Sequence, residues 1–458
     1  MAVLYNNLLI NGKSKKYKPF LVNLVSGRRR ILDIDEALLI SSILHKNKAS
    51  SFTQQESQLC EKLFVEKQFI DNHQRKAIEK HMIESNYFTS ADKPREDLVF
   101  SIQLTQACNM RCPFCFERGY ADSKAQMTEE MIHAIVELYK FCSIQYGVDV
   151  TPSIIRVTGG EPLINQKSVD MIKHIADMWP ESALTLFTNG LNLLKYYNQL
   201  PLDRLEVDIS LDGLENTHLL KRKPVASNGS EAYKDIVSGI KRLLKDQVTV
   251  RLKTIIDKDN YQELPDFITF LRDEGILESP NLTHIPGTVS DYSNPLDIDV
   301  LFNNKHEAIK IQDYLMSTCG YTITPFIGLT TLWMMVSRTD NKPHMPRNVR
   351  CSTNFPANLY FSPNGKIYFC DCMDSERGII GAYYPKINLD MDMIEKLNSR
   401  SVMNYEKCRE CPYKFVCLGN CPLAAFSKGE EMSCGVFADT EIMDNLEYPY
   451  YELNAYRS

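Results

Sequence analysis

Residues 98–115 read LVFSIQLTQACNMRCPFC: a strand-like run, a short polar turn, then Cys108, Cys112 and Cys115 within eight residues. A structural zinc site takes four ligands and a disulfide two. No fourth cysteine or histidine lies nearby, and the next thiol, Cys142, is well downstream. Three thiolates so close together point to a metal centre with one corner open. The bland alternative is a zinc site completed by a distant ligand.

The strand before this loop is the first of six. LVFSIQL, SIIRVT, ALTLF, LEVDISL, VTVRLKT and NLTHI are short apolar runs, and between most of them lie helical stretches such as TEEMIHAIVELYKFCSIQYG and EAYKDIVSGIKRLL. Alternating β and α predicts parallel strands joined by right-handed crossovers. Six strands are too few for a closed eight-stranded barrel, so a partial barrel is expected. Sites in such folds lie at the C-terminal ends of the strands. The three-cysteine loop, TGGEP, TNG and SLDG end the first four strands and so share one rim. For TNG and SLDG, ordinary turn chemistry competes with ligand contact.

The chain has 458 residues, enough for two to four domains, and its hydrophobic and charged fractions, 44% and 24%, are those of a globular protein. A net charge of −6 argues against a nucleic-acid partner. No apolar run is long enough to cross a membrane and no signal peptide is visible, so a cytoplasmic location is expected. Of 14 cysteines, nine lie after residue 318, a clustering that suits metals better than disulfides in such a compartment. Cys60, Cys142 and Cys319 fall outside the clusters and are expected to be ordinary buried thiols. After about residue 345 periodicity fades and Cys351, Cys370, Cys408, Cys411, Cys417, Cys421 and Cys434 dominate, with CX2CX5CX3C over the middle four.

CX3CX2C after a first strand, followed by GGEP after the second, resembles the radical S-adenosylmethionine (SAM) superfamily. The resemblance implies a partial (β/α)6 barrel and a 4Fe-4S cube held by Cys108, Cys112 and Cys115. SAM would chelate the fourth iron, and a single electron would split it to methionine and a 5′-deoxyadenosyl radical that abstracts hydrogen from an unactivated C–H bond. It further implies that Phe114 lies beside the adenine and that Gly159, Gly160 and Glu161 receive the SAM amino group. Thr188, Asn189, Ser210 and Asp212 match positions around the ribose and methionine.

The seven-cysteine order is similar to the SPASM domain, the auxiliary-cluster module of radical SAM enzymes that modify peptides and proteins. By that resemblance Cys408, Cys411, Cys417 and Cys434 hold one auxiliary 4Fe-4S cluster, and Cys351, Cys370 and Cys421 the other, making three clusters in all. Residues 352–369 contain no cysteine for the fourth corner of the second. Either Cys372 fills it or its iron is open to a substrate thiolate. The alternative for all seven is a pair of structural zinc sites. Asp371 matches the aspartate that removes a substrate proton in sulfatase-maturing relatives; its bland alternative is a solvated or cluster-supporting carboxylate.

Residues 1–72 read as a small α+β unit. PFLVNLVSGRRRILDID is patterned as a β-hairpin, Asp35 to Asn47 as a helix, and Thr53 as the N-cap of a second. This resembles the RiPP recognition element, a winged-helix-like domain that binds the leader of a precursor peptide. Residues 73–96 are then a linker, 97–290 the barrel, 291–345 a bridging region and 346–458 the SPASM module. The expected function is peptide maturation, with an oxidative thioether or carbon–carbon cross-link as product. The partners implied are a precursor with its leader and a reducing protein such as flavodoxin or ferredoxin. The alternative is a sulfatase-maturing type enzyme that oxidises Cys or Ser to formylglycine.

Overall fold

The computed structural model describes residues 7–10, 18–24, 29–45, 52–65, 98–115, 117, 123–225, 229–288, 305–321, 332, 355–370, 378–438, 443–444 and 446. The chain divides into two compact units: residues 1–92, 290–351 and 399–458 form one, and residues 93–289 and 352–398 the other.

In the first unit, strands β1 (Asn7–Ile10), β2 (Phe20–Asn23) and β3 (Arg29–Ile31) form an antiparallel sheet in that order. The expected hairpin is β2–β3; β1 was not anticipated. Helices α1 (Ile34–His45) and α2 (Gln54–Val65) follow. Thr53 caps α2 through a reciprocal pair: its hydroxyl accepts from the Glu56 amide at 3.2 Å, and the Glu56 carboxylate accepts from the Thr53 amide at 2.7 Å. Leu21, Ala37, Ile40, Ile43, Leu59 and Leu63 close a small core around these elements.

The second unit is built on an open ten-stranded sheet. Strands β4 (Val99–Gln103), β5 (Ile154–Thr158), β6 (Ala183–Thr188), β7 (Leu205–Ser210), β8 (Thr249–Ile255) and β9 (Leu282–Gly287) lie side by side in chain order, and each neighbouring pair is parallel. These are the six strands expected, and the barrel does not close. The crossovers carry α3 (Glu129–Tyr146), α4 (Gln166–Met178), α5 (Glu215–Lys221), α6 (Gly229–Lys245) and α7 (Leu264–Asp273). Thr128 caps the start of α3, and Gly147, at φ +64, ends it in the left-handed conformation that glycine adopts without penalty.

The sheet continues past β4. Strand β10 (Asn358–Phe361) pairs parallel with β4, and β11 (Lys366–Tyr368), β12 (Ile379–Ala382) and β13 (Asn388–Leu389) add on antiparallel. Sequence reading put this stretch in a cysteine-rich module held by metal. Instead Leu359, Phe361 and Ile367 are buried, and Phe361 packs edge-on against Phe100 at 5.8 Å. Among the described residues no helix is long and apolar enough to cross a membrane.

Candidate active site

The three-cysteine loop leaves the end of β4 and is fastened from three sides. The first fastening is GGEP at the end of β5. The Gly160 amide donates to the Thr105 carbonyl at 2.8 Å and the Glu161 amide to the Ala107 carbonyl at 2.9 Å. A Cβ on Gly160 would lie 2.4 Å from the carbonyl oxygens of both Gln106 and Ala107, and one on Gly159 2.7 Å from that of Thr105. The glycines let the β5 end lie directly on the backbone that leads into Cys108.

The second fastening is TNG at the end of β6. The Asn189 side-chain amide donates to Asn109 Oδ1 at 2.8 Å and comes within 4.0 Å of Cys108 Sγ. Glu161 joins the two rims: its carboxylate accepts from Thr188 Oγ1 at 2.7 Å, the Asn189 amide at 2.8 Å and the Leu163 amide at 2.9 Å. Three of its roughly four acceptor positions are thus taken, leaving about one free. Its pKa is raised by burial, against the pull of these donors.

The third fastening was not foreseen. Residues 222–225, after α5, run along the loop as a strap. The Arg111 amide donates to the Lys223 carbonyl at 2.8 Å, the Val225 amide to the Asn109 carbonyl at 3.0 Å, and Met110 bridges Pro224. Arg222 turns inward, its guanidinium 5.4 Å from the centre of the Phe114 ring, and its charge pulls the Cys112 thiol down against the larger effect of burial. Asp212 of SLDG anchors it at 2.6 Å. The same carboxylate accepts from the Ile255 amide at 2.9 Å, so Asp212, fully buried, works as a brace within the protein. Ser210 stays half-buried at the end of β7. The sequence signal for the strap was only the basic run Lys221 to Lys223 after SLDG.

Cys108, Cys112 and Cys115 line one cavity with Gln106, Glu117 and Gly160. Burial pushes the Cys108 thiol up to about 12 and Cys115 up to about 11, and Cys112 is raised by the same cause. Each thiolate also opposes its neighbours, so charge on all three calls for a cationic centre among them. Among the described residues no group of three or more His, Cys, Asp or Glu is drawn tightly enough to hold a single metal ion.

A second thiol-lined cavity lies in the other unit. Cys408, Cys411, Cys417 and Cys434 line it, with Lys407 and Phe437. Leu418, Gly419 and Asn420, at φ +55, +73 and +60, turn the chain sharply after Cys417. Arg400 holds this turn by donating to the Gly419 carbonyl at 2.7 Å and the Glu431 carbonyl at 2.8 Å. Burial pushes the Cys417 thiol up to about 12. Cys421 is half-buried and does not line this cavity, and Cys370 is half-buried after β11. Cys351, Asp371 and Cys372 lie outside the described residues. Cys60 and Cys142 are buried as expected, whereas Cys319 is half-exposed at the end of the helix Lys305–Cys319.

A buried histidine, His218, and a half-buried one, His284, set a pH dependence. His218 Nδ1 accepts from the Asp212 amide at 3.1 Å, and burial pulls its pKa down to about 4; burial alone does the same to His284. Both values lie below the ordinary 6.5, so the unfolded chain binds more protons between these limits. The stability they contribute is full above pH 6.5 and is lost as pH falls towards 4. The urea midpoint is expected to drop between pH 7 and pH 5, and a His218→Gln, His284→Phe double variant to flatten that drop.

Residues 102–271, the segment that carries β4 to α7 and the three fastenings, match the Radical SAM superfamily. The chain carries a radical SAM domain. A GTP 3′,8-cyclase of Clostridium perfringens is 29% identical over 205 residues, which are 44% of this chain and 54% of that enzyme. The chain spans about half the length of the first curated relatives it matches. Among solved structures, SuiB of Streptococcus suis superimposes with a TM-score of 0.50 at 14% identity, covering 94% of this chain and 98% of SuiB. The enzyme anSMEcpe with bound AdoMet gives 0.50 at 15% identity, covering 76% and 95%. At these identities the likeness is one of fold.

Proposed function

We propose that the chain is a radical SAM peptide maturase that installs an oxidative cross-link, thioether or carbon–carbon, in a ribosomal precursor peptide. The observation that carries this reading is the second cavity, lined by Cys408, Cys411, Cys417 and Cys434, in addition to the rim cavity of Cys108, Cys112 and Cys115. Closing a cross-link after hydrogen abstraction releases an electron, and a second cluster site gives it a destination.

The donor sets fit the groups they would hold. Three thiols at the rim suit a 4Fe-4S cube with one free iron, and four thiols suit a fully ligated one. With SAM on the free iron, the rim cluster would supply a radical able to take hydrogen from an unactivated C–H bond. The chain's own part is positional. Gly159 and Gly160 keep the loop against β5, Asn189 ties Asn109 to the TNG turn, and Glu161 leaves an acceptor for the SAM amino group. Phe114 and Ser210 are the candidates for adenine and ribose contacts, and Asp212 acts through Arg222. Cys351, Cys370 and Cys421, with Cys372 or a substrate thiolate, are the candidates for a third cluster, and Asp371 for the base. Residues 1–72 would hold the leader, 97–290 the chemistry and 346–458 the auxiliary clusters, joined by 73–96 and 291–345. A flavodoxin or ferredoxin would supply the electron. The fold likeness to SuiB across 94% of the chain supports this arrangement.

The identity with the GTP cyclase favours a second reading, in which the same rim acts on a nucleotide. The fold shared with anSMEcpe keeps the sulfatase-maturing type in view. The test is anaerobic incubation of reconstituted protein with SAM, reductant and the peptide encoded by a neighbouring short reading frame. Formation of 5′-deoxyadenosine with a mass loss of two hydrogens in the peptide is expected. Deleting residues 1–72 should weaken precursor binding strongly and leave uncoupled SAM cleavage largely intact. GTP turnover with no peptide turnover would replace the proposal with the second reading.

A further inference from the structure

We propose that the inner face of the sheet carries an oxyanion subsite, formed on β5 by Arg156 and Thr158, that takes an anionic group of the substrate. Phe100 of β4 packs tilted against Tyr139 of α3 at 4.2 Å and meets Trp179 at 5.7 Å, so its side of the sheet is the helix-covered one. Phe100 pairs with Ile155, which places Ile155 and Val157, both fully buried, on that side. Arg156 and Thr158 therefore face the other way. On that inner side Arg156 lies between Ser101 of β4 and Thr185 of β6, and Thr158 beside Gln103.

The other cations on this face are neutralised. Arg251 lies 2.6 Å from Glu206 and 2.5 Å from Asp208, and Lys253 lies 3.4 Å from Asp208. The nearby Glu117 carboxylate is engaged by the Gln103 amide and, at 3.4 Å, by the Tyr360 hydroxyl. Arg156, only partly exposed, has neither an ion pair nor a hydrogen bond among the described residues. Two residues along the same face, Thr158 Oγ1 is buried and likewise has no partner. An unsatisfied buried hydroxyl costs about 1–3 kcal/mol. A guanidinium is the side chain best shaped to grip a carboxylate or phosphate through two parallel hydrogen bonds. One oxyanion between the two would satisfy both.

Thr158 immediately precedes Gly159, so the subsite lies just inside the rim proposed for SAM. Its assignment to substrate rests on that reading. The oxyanion could be the carboxylate of an acidic residue in a peptide or the phosphate of a nucleotide.

The test titrates the full-length, cluster-reconstituted protein with inorganic phosphate, GTP and acetyl-Gly-Glu-Gly-amide, followed by calorimetry. Wild type is compared with Arg156→Gln, Arg156→Lys and Thr158→Val, with SAM affinity and iron content measured in parallel. The expected result is binding of at least one probe that weakens about tenfold in Arg156→Gln and partly recovers in Arg156→Lys, with SAM affinity and iron unchanged. Loss for the glutamyl peptide alone identifies a carboxylate. Loss for phosphate or GTP identifies a phosphate, and then the subsite stands while the peptide reading gives way to the nucleotide one. No probe binding to wild type, equal binding to wild type and Arg156→Gln, or a parallel fall in SAM affinity would each overturn the inference.

Discussion

Reconstituted wild-type protein should hold about twelve irons, and a Cys108→Ala, Cys112→Ala, Cys115→Ala triple variant about eight, with SAM cleavage abolished. The loss of four irons follows from the geometry, while the third cluster, on Cys351, Cys370 and Cys421, is the one proposed from the resemblance. Cys108, Cys112 and Cys115 line a cavity in one unit, and Cys408, Cys411, Cys417 and Cys434 line another in the other unit, so removing the first set leaves the second untouched. In both places burial raises the thiol pKa values, so neither set ionises readily without a metal centre. Iron counts by colorimetry, with Mössbauer spectra to establish cluster type, measure the outcome. Wild type that stays near four irons after thorough reconstitution would remove the auxiliary clusters. Zinc in place of iron would make the C-terminal thiols structural.

Gly160→Val should abolish the rim cluster in a protein that still folds. The added Cβ would meet two backbone carbonyls at 2.4 Å, and backbone cannot swing aside as a side-chain tip can. Overpacking of this kind costs about 1–3 kcal/mol or more. The strain falls on Gln106 and Ala107, immediately ahead of Cys108, so the ligand loop is what shifts. The amides of Gly160 and Glu161 would lose their carbonyl partners with it. Expected readings are about four irons fewer than wild type, no SAM cleavage, and an unfolding midpoint a few degrees lower. Normal iron content and normal SAM cleavage would show that the approach of β5 to the loop is not needed.

The six parallel strands were legible because each is a short apolar run bounded by turn residues, and the helices between them carry their own caps, such as Thr128 and Asn165. The three cysteines were legible because their spacing is local. What escaped was non-local. Nothing in NLYF at Asn358–Phe361 marks it as a partner for Val99–Gln103, since parallel pairing leaves no hairpin signature. Arg222 was not singled out, because its meeting with Phe114 depends on how α5 ends. Gly159 and Gly160 were read by resemblance as part of the motif that receives the SAM amino group; their close contact with the protein's own backbone was not legible. Arg156 and Thr158 drew no notice because a cation and a hydroxyl in a strand acquire meaning only once their neighbours are known.

The pairing of β10 with β4 also fixes an order of events at the ribosome. Residue 358 follows residue 99 by 259 positions. At about 5–20 residues per second, β4 emerges roughly 13–50 seconds before its second neighbour. Throughout that interval the strand that leads into the cysteine loop is a bare sheet edge, with its amides and carbonyls open to any extended chain nearby. Slow synthesis or crowded expression therefore endangers this protein at β4 first, and a nascent chain stalled before residue 358 is the species most prone to aggregate.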